Sequence, residues 1–158
     1  MLRGKYFLSN APDSRPVLEL RERIPEFTAG RDEFDDMALY ALVYDEADAP
    51  AAAGRLYIDT ESCFRIDYIG VVPQNRHKYM GDLVARMLLY KAQEMNAPRI
   101  VADVPEETVY FFARYGFRLI SKEDCLCKMS VEIASLRLEG SCSKGDGGAC
   151  KGDCENCG

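Results

Sequence analysis

The fold is decided by the segment Gly70-Val71-Val72-Pro73-Gln74-Asn75-Arg76-His77-Lys78-Tyr79-Met80-Gly81, which leads from an apolar strand into a long amphipathic helix. The N–H groups in the first turn of a helix lack backbone partners, and the helix dipole adds a partial positive charge there. The turn holds Arg76, His77 and Lys78 and no acidic residue. These residues predict a phosphate-type anion site built on the amides of residues 77 to 82. An ordinary solvated loop is the alternative.

Strands dominate the chain before this segment. Apolar runs bounded by turn residues predict strands over Arg3–Ser9, Met37–Tyr44, Ala51–Asp59 and Phe64–Val72. In the last of these, strict alternation would place Ile66, Tyr68 and Gly70 on one face and Asp67, Ile69 and Val71 on the other. A short helix is predicted between the first two strands, from about Ser14 to Pro25. The acid-rich residues 28 to 36 are predicted to form a solvated connector.

After this segment, the spacing of the apolar residues changes from that of a strand to that of a helix. Val84, Met87, Leu88 and Met95 recur at helical spacing, and Asn96-Ala97-Pro98 ends that helix. Further elements are predicted in the order strand, helix, strand, strand, over Arg99–Val104, Pro105–Ala113, Phe117–Ser121 and Cys125–Leu138, with Gly116 closing the helix. The order predicts an α/β fold with a mixed sheet and helices on both faces.

Composition narrows the function classes. The chain has 158 residues and 47% apolar content, which suits one globular domain. Its net charge of −6 argues against a nucleic-acid binder and is compatible with a cationic, amine-bearing partner. We see no run of about 20 apolar residues and no apolar signal core. A cytoplasmic location without membrane attachment is therefore the expectation.

Two motifs carry a family resemblance. The segment Val71-x-Pro73-x-x-Arg76-x-x-x-x-Gly81 and the later Phe112-Ala113-Arg114-Tyr115-Gly116-Phe117 resemble the GNAT superfamily of acyl-CoA N-acyltransferases over residues 1 to 138. The resemblance implies a mostly antiparallel sheet of six to seven strands over residues 1–139. It also implies transfer of an acyl group, typically acetyl from acetyl-CoA, to an amine acceptor, and the possibility of a homodimer. The cofactor-binding residues it implies are Ile69, Gly70, Val71, Arg76, His77, Lys78, Tyr79, Met80, Gly81, Asp82 and Phe112.

Two positions depart from the family pattern. Where the family turn has its first glycine, this sequence has Tyr79. Either a bulky residue takes a glycine-like backbone conformation there, or the turn differs. Many members have a tyrosine that protonates the leaving thiolate. This sequence has Phe112 at the corresponding position, and its side chain has no proton to donate. A weakly catalytic or non-catalytic binding module is therefore the alternative function.

The remaining catalytic candidates are carboxylates and tyrosines near these motifs. Asp67 or Glu61 is predicted to accept the proton of the amine, directly or through water, although both are also typical surface or structural carboxylates. Tyr110 and Tyr115 are candidates for the missing hydroxyl, although a core or surface role suits both. Without the family's acid, direct attack that depends on positioning is the expected mechanism.

The seven cysteines fall into two groups. Cys63, Cys125 and Cys127 are placed in predicted strands, where cysteine behaves as a small hydrophobe. The other four lie in residues 140–158, a tail rich in Gly, Lys, Asp and Ser that cannot fold by burying a core. Four thiolates at short spacings predict zinc or an iron–sulfur cluster, with a disordered tail or disulfides as alternatives. The ligands would be Cys142, Cys150, Cys154 and Cys157.

Overall fold

The computed structural model describes residues 2–8, 15–24 and 32–138. The strands in this part are β1 (Arg3–Leu8), β2 (Leu39–Tyr44), β3 (Pro50–Ile58), β4 (Phe64–Val71), β5 (Arg99–Pro105), β6 (Arg118–Glu123) and β7 (Leu126–Glu132). The α-helices are α1 (Arg15–Glu22), α2 (Met80–Glu94) and α3 (Val109–Ala113), and short 3-10 helices cover Glu33–Asp36, Pro73–Asn75, Glu106–Thr108 and Ile133–Ser135.

The seven strands form one sheet in the order β1-β2-β3-β4-β5-β7-β6. Neighbouring strands are antiparallel except β4 and β5, which are parallel. Helix α1 covers one face of the sheet at β3, and α2 covers the opposite face. We call these the α1 face and the α2 face. The predicted mixed, mostly antiparallel sheet with helices on both faces is confirmed.

Helix α2 packs closely on the sheet because the strand beneath it carries small residues. A Cβ at Gly54 of β3 would lie 2.7 Å from both Leu88 Cδ1 and Val84 Cγ1, so no larger residue fits without displacement. Val84 and Leu88 are buried as predicted, Met87 is half-buried, and Met95 is exposed, beyond the end of the helix. The helical spacing of the buried residues was therefore predicted correctly, but Met95 does not belong to the buried face of the helix.

The last strand is shorter than predicted. The chain leaves the sheet after Glu132 because the Ile133 N–H donates to Pro98 O (3.1 Å) and the Arg137 N–H to Tyr115 O (2.9 Å). The carbonyl oxygen of Ser135 consequently lies only 2.3 Å from where a Cβ at Gly116 would be. Gly116 also has φ +100°, so both its backbone and its surroundings require glycine.

The prediction for the strand cysteines is right for one of three. Cys127 is buried in β7. Cys63 precedes β4 and is half-buried, and Cys125 is exposed in the tight β6–β7 turn. Strand β7 begins one residue after Cys125, and Cys63 directly precedes β4, so both cysteines lie outside the strands.

None of the helices in the described ranges is long and apolar enough to cross a membrane.

Candidate functional site

Strands β4 and β5 separate soon after they meet. They are paired only at Phe64–Ile100 and Arg65–Val101. From Ile66 to Val71, the edge of β4 that faces β5 has no strand partner in the described part of the chain. This edge therefore offers main-chain N–H and C=O groups to a guest that lies between the strands.

A β-bulge lies in this unpaired stretch. Arg55 of β3 pairs with Asp67, but Ala53 pairs with Gly70, so one residue is inserted in β4. Tyr68 takes φ +52° there and contacts the arginines of the α1 face, whereas Ile69 packs at Gly54 on the α2 face. The strict alternation predicted for β4 is wrong, since the extra residue places Asp67 and Tyr68 on the same face.

The turn after β4 leaves a run of backbone donors unused. Within the described ranges the N–H groups of residues 77 to 82 donate to no backbone carbonyl, and the first bond of α2 runs from Leu83 N–H to Tyr79 O (3.1 Å). The start of α2 lies beside the unpaired end of β4, because a Cβ at Gly81 would be 3.4 Å from Val71 Cγ2. The amides that the sequence predicted for anion binding are thus available next to the separated strands.

Tyr79 has the backbone conformation that a glycine would have at this position. It precedes α2 with φ +64° and ψ +13°, the left-handed conformation that glycine adopts without cost. The turn therefore keeps the conformation that favours glycine, and a tyrosine adopts it. The Tyr79 side chain is 53% exposed, so its ring lies at the surface and not in the core.

The three cations of the turn have different surroundings. Arg76 Nε donates to Val71 O (3.2 Å), which ties the turn to the end of β4. His77 and Lys78 are exposed. His77 has φ +65°, so two left-handed residues, His77 and Tyr79, flank Lys78 in the approach to α2.

Asp82, the one acid in the first turn of α2, is neutralised by its neighbours. Arg86 Nε donates to Asp82 Oδ2 (2.8 Å), and Arg114 Nη2 lies 3.7 Å from Asp82 Oδ1. The Tyr115 hydroxyl donates to Asp82 Oδ1. Burial and Asp82 raise the pKa of Tyr115 well above its usual value. Two arginines beside one carboxylate leave the helix N-terminus suited to an anion.

The aromatic candidates on α3 are placed differently from one another. Phe112 is buried and packs edge-on against Phe111 and Phe117. Tyr115 is also buried, and its proton is directed at Asp82. Tyr110 is 59% exposed. Tyr115 is thus tied to the first turn of α2.

Asp67 belongs to a network of buried ions on the α1 face. Arg55 donates to it through Nε (2.7 Å to Oδ1) and Nη2 (2.6 Å to Oδ2). Arg55 is 1% exposed, whereas the Asp67 side chain is 28% exposed. Burial raises the pKa of Asp67, against the opposite effect of the Arg55 guanidinium. The carboxylate keeps an exposed side next to the bulge.

The network extends into the connector before β2. Arg55 donates to Asp32 (2.6 Å to Oδ1), and its Nη1 lies 3.2 Å from Oδ1 of Asp35. Asp35 is fully buried and accepts from Arg21 (3.2 Å to each oxygen) and from the Tyr40 hydroxyl (2.6 Å). We call Arg21, Asp32, Asp35, Arg55 and Asp67 the buried ion network.

This network was missed at the sequence level. The connector was predicted to be solvated, which is wrong for Asp35, and Arg55 was not considered. The signal was present, because Arg55 is the only charge in the apolar run from Ala51 to Ile58. A charge in a buried strand requires partners, and the nearest acid-rich segment supplies them.

Glu61 lies away from these features. It is exposed in the turn between β3 and β4, where its N–H donates to Asp59 Oδ1 (2.9 Å). This turn is at the end of β4 where β4 and β5 are still paired. From Phe64 to Ile69, a strand extends about 17 Å. The structure therefore brings Asp67 to the bulge and does not bring Glu61 there.

The predicted metal ligands Cys142, Cys150, Cys154 and Cys157 lie outside the described residues, so the metal site stays a prediction. Within residues 2–8, 15–24 and 32–138, no group of three or more potential ligands is placed to hold a metal ion.

Solved structures with the same fold include acyltransferases. The chain matches an acyl-CoA N-acyltransferase from Pseudomonas aeruginosa with TM-score 0.71 and 14% identity, over 82% of this chain and 99% of that one. It matches an acetyltransferase of the GNAT family from Staphylococcus aureus Mu50 with TM-score 0.63 and 14% identity, over 83% and 99%. The chain has the GNAT fold.

A further GNAT-fold neighbour has a named acceptor. The ribosomal-protein-S18-alanine N-acetyltransferase of Escherichia coli matches with TM-score 0.63 and 13% identity, over 83% of this chain and 94% of that one. No family model matches the sequence. At these identities the fold is retained while the sequence has diverged.

Proposed function

We propose that the protein transfers an acyl group, typically acetyl, from acyl-CoA to a primary amine of a small molecule or a protein. One observation carries the proposal. The unpaired edge of β4 and the unused amides at the start of α2 adjoin each other at Val71 and Gly81. An elongated guest with an anionic end and a polar, amide-bearing arm suits both features, and acyl-CoA has that chemistry.

The N-terminus of α2 would hold the pyrophosphate. The amides of Met80, Gly81 and Asp82 would donate to phosphate oxygens, with the exposed cations His77 and Lys78 nearby. Asp82 does not repel the anion because Arg86 and Arg114 offset its charge. Tyr79 retains this site by accepting the left-handed conformation.

The unpaired edge of β4 would hold the pantetheine arm. The main-chain groups of Ile69 and the N–H of Val71, on either side of Gly70, would bond to its amides as a further strand does, while the Val71 carbonyl already accepts from Arg76. An N–H of this edge would also polarise the thioester carbonyl, because a donor aimed at the developing oxyanion lowers the barrier. No side chain is required for that step.

Proton transfers complete the reaction. The amine must be neutral to attack the carbonyl carbon, and Asp67 would accept its proton directly or through water at its exposed side. The C–S bond then breaks and the sulfur leaves as a thiolate. Phe112 cannot protonate it and Tyr115 is committed to Asp82, so water would supply this proton.

The charge near the bulge supports an amine acceptor. The buried ion network contains three carboxylates and two guanidinium groups, a net charge of −1. The partly exposed members are the carboxylates Asp32 (41%) and Asp67 (28%). An approaching cation would be attracted there and then deprotonated at the reaction centre.

Calorimetry with acetyl-CoA tests the binding half of the proposal. We expect the wild type to bind, and Lys78→Glu, which places an anion in the turn, to weaken binding about tenfold at low salt. Lys128→Glu on β7 makes the same charge change away from the turn and is expected to keep the affinity within about twofold. No binding by folded wild type at millimolar acetyl-CoA would rule the proposal out.

Turnover is best followed by loss of thioester absorbance and mass spectrometry of the amine, because the chain's seven cysteines would consume a thiol-reactive dye. A polyamine, an amino acid and peptides with free N-termini or lysines make a sensible acceptor panel. Acylated product from at least one of them is expected.

The second candidate function is a binding module that holds acyl-CoA without efficient transfer and carries a metal-binding or redox-sensitive tail. The absence of a hydroxyl at position 112 favours it. Tight acetyl-CoA binding with no product from any acceptor would support this candidate against the enzyme.

A further inference from the structure

The bulge residue Tyr68 lies against two buried arginines. The guanidinium carbon of Arg21 is 4.0 Å from the centroid of the Tyr68 ring, and that of Arg55 is 4.9 Å away. Arg21 comes from α1 and Arg55 from β3, and both are at most 4% exposed. Cations over an aromatic face attract it, more strongly where water is excluded.

The two arginines are themselves held in place. Arg21 binds both oxygens of Asp35 at 3.2 Å, and Arg55 binds Asp32 and Asp67 at 2.6 Å. Asp35 also lies 3.2 Å from Arg55 Nη1, so the two arginines share one carboxylate. Tyr68 is thus in contact with guanidinium groups that are fixed by several charge-assisted bonds.

The position of Tyr68 connects this arrangement to the unpaired edge. It is the residue between Asp67, which Arg55 binds, and Ile69, where the unpaired main chain of β4 continues toward the turn. Its left-handed backbone is kept only if the surroundings determine it, and the ring is the part of Tyr68 that the arginines contact. Movement of the ring would therefore change where the edge N–H groups of Ile69 and Val71 point.

We propose that Arg21 and Arg55 are positioning residues for acyl transfer, acting through the ring of Tyr68 to hold the β4 bulge and its edge amides. This inference rests on the proposed function. It differs from a purely structural role for the network, which would stabilise α1 on the sheet without affecting the chemical step.

Two substitutions separate the roles. Tyr68→Leu removes the aromatic face and keeps an apolar side chain, and Tyr68→Phe keeps the face. The matched control is Tyr40→Phe, which removes a 2.6 Å bond to Asp35 from the same network and leaves Tyr68 unchanged. Three quantities are measured for each folded variant: acetyl-CoA affinity, kcat, and amide hydrogen exchange of the peptide that covers residues 66 to 71.

For Tyr68→Leu we expect kcat to fall about tenfold, which is about 1.4 kcal/mol in the barrier. Exchange of residues 66 to 71 should rise at least severalfold, and acetyl-CoA affinity should stay within about threefold because the phosphate turn is unaltered. Tyr68→Phe should retain most of kcat. Tyr40→Phe should lower the unfolding free energy without a fall in kcat.

Two results would overturn the inference. One is a Tyr68→Leu variant with wild-type kcat and wild-type exchange. The other is a Tyr40→Phe variant with the same loss of kcat as Tyr68→Leu, which would assign the effect to general stability. A wild type that neither binds nor turns over acetyl-CoA would instead defeat the proposed function, so the two failures are distinguishable.

Discussion

The charge state of Asp35 gives the sharpest quantitative prediction. Burial alone would raise the pKa of this fully buried carboxyl, but hydrogen bonds from Arg21, Tyr40 and the Asp32 N–H lower it from 3.8 to about 2. At 1.36 kcal/mol per pKa unit, the ionised form contributes about 2.5 kcal/mol to the folded state. Asp35→Asn carries a neutral side chain at every pH and lacks this contribution.

The sign follows from the lowered pKa. The stabilisation is fully present above the unfolded pKa of 3.8 and disappears as the pH falls through about 2. Wild type should therefore exceed Asp35→Asn in unfolding free energy by about 2.5 kcal/mol near pH 6, and by less than about 1 kcal/mol at pH 2. Any fixed cost of the amide adds equally at both pH values.

Urea unfolding followed by far-ultraviolet circular dichroism measures this difference, because the chain has no tryptophan to report fluorescence. The control Glu33→Gln removes the same charge from an exposed position of the same 3-10 helix. It should change stability by less than about 0.5 kcal/mol at every pH. A gap between wild type and Asp35→Asn that stays constant from pH 6 to pH 2 would refute the reasoning.

Further predictions concern the glycines and the tail. Gly54→Ala should lower the free energy of unfolding by about 2 kcal/mol in chemical denaturation, because the added Cβ would lie 2.7 Å from Val84 and Leu88. Gly4→Ala should lower it by less than about 1 kcal/mol, because the added Cβ would meet the flexible end of Met87. Equal losses for the two variants would contradict the packing argument. Gly116→Ala should lower thermal stability more than either, since a positive φ and the Ser135 carbonyl both oppose a side chain. Anaerobically purified protein should contain about one equivalent of metal or cluster that disappears when residues 140 to 158 are removed; metal content unaffected by the truncation would argue against the cysteine site.

Most helices and strands of the fold could be predicted from local sequence patterns. Helical spacing of Val84 and Leu88, the turn residues between strands, and Gly116 after α3 each specify an element through short-range chemistry. Errors were concentrated at element ends, as with Cys125 and residues 133 to 138. There a contact distant in sequence, such as that between Pro98 and Ile133, decides where a strand stops.

The candidate site was predicted unevenly. The amides at the start of α2 and the identity of the residue at position 112 could be read directly, because a helix N-terminus and a missing hydroxyl are local facts. The separation of β4 from β5, the bulge at Tyr68 and the pairing of Asp67 with Arg55 could not. Each depends on which strand lies beside which, and one inserted residue reverses the faces of all that follow.

By itself, the sequence determined the order of the elements, the cationic turn from Arg76 to Gly81, and the presence at position 112 of a phenylalanine, which has no hydroxyl. Tertiary structure alone decided that Tyr79 keeps the left-handed turn and that Asp82 is neutralised by Arg86 and Arg114. It also decided that three acids enclose two arginines behind Tyr68. The physical reason is that periodicity and capping act over a few residues, whereas buried charges must find partners wherever the fold brings them.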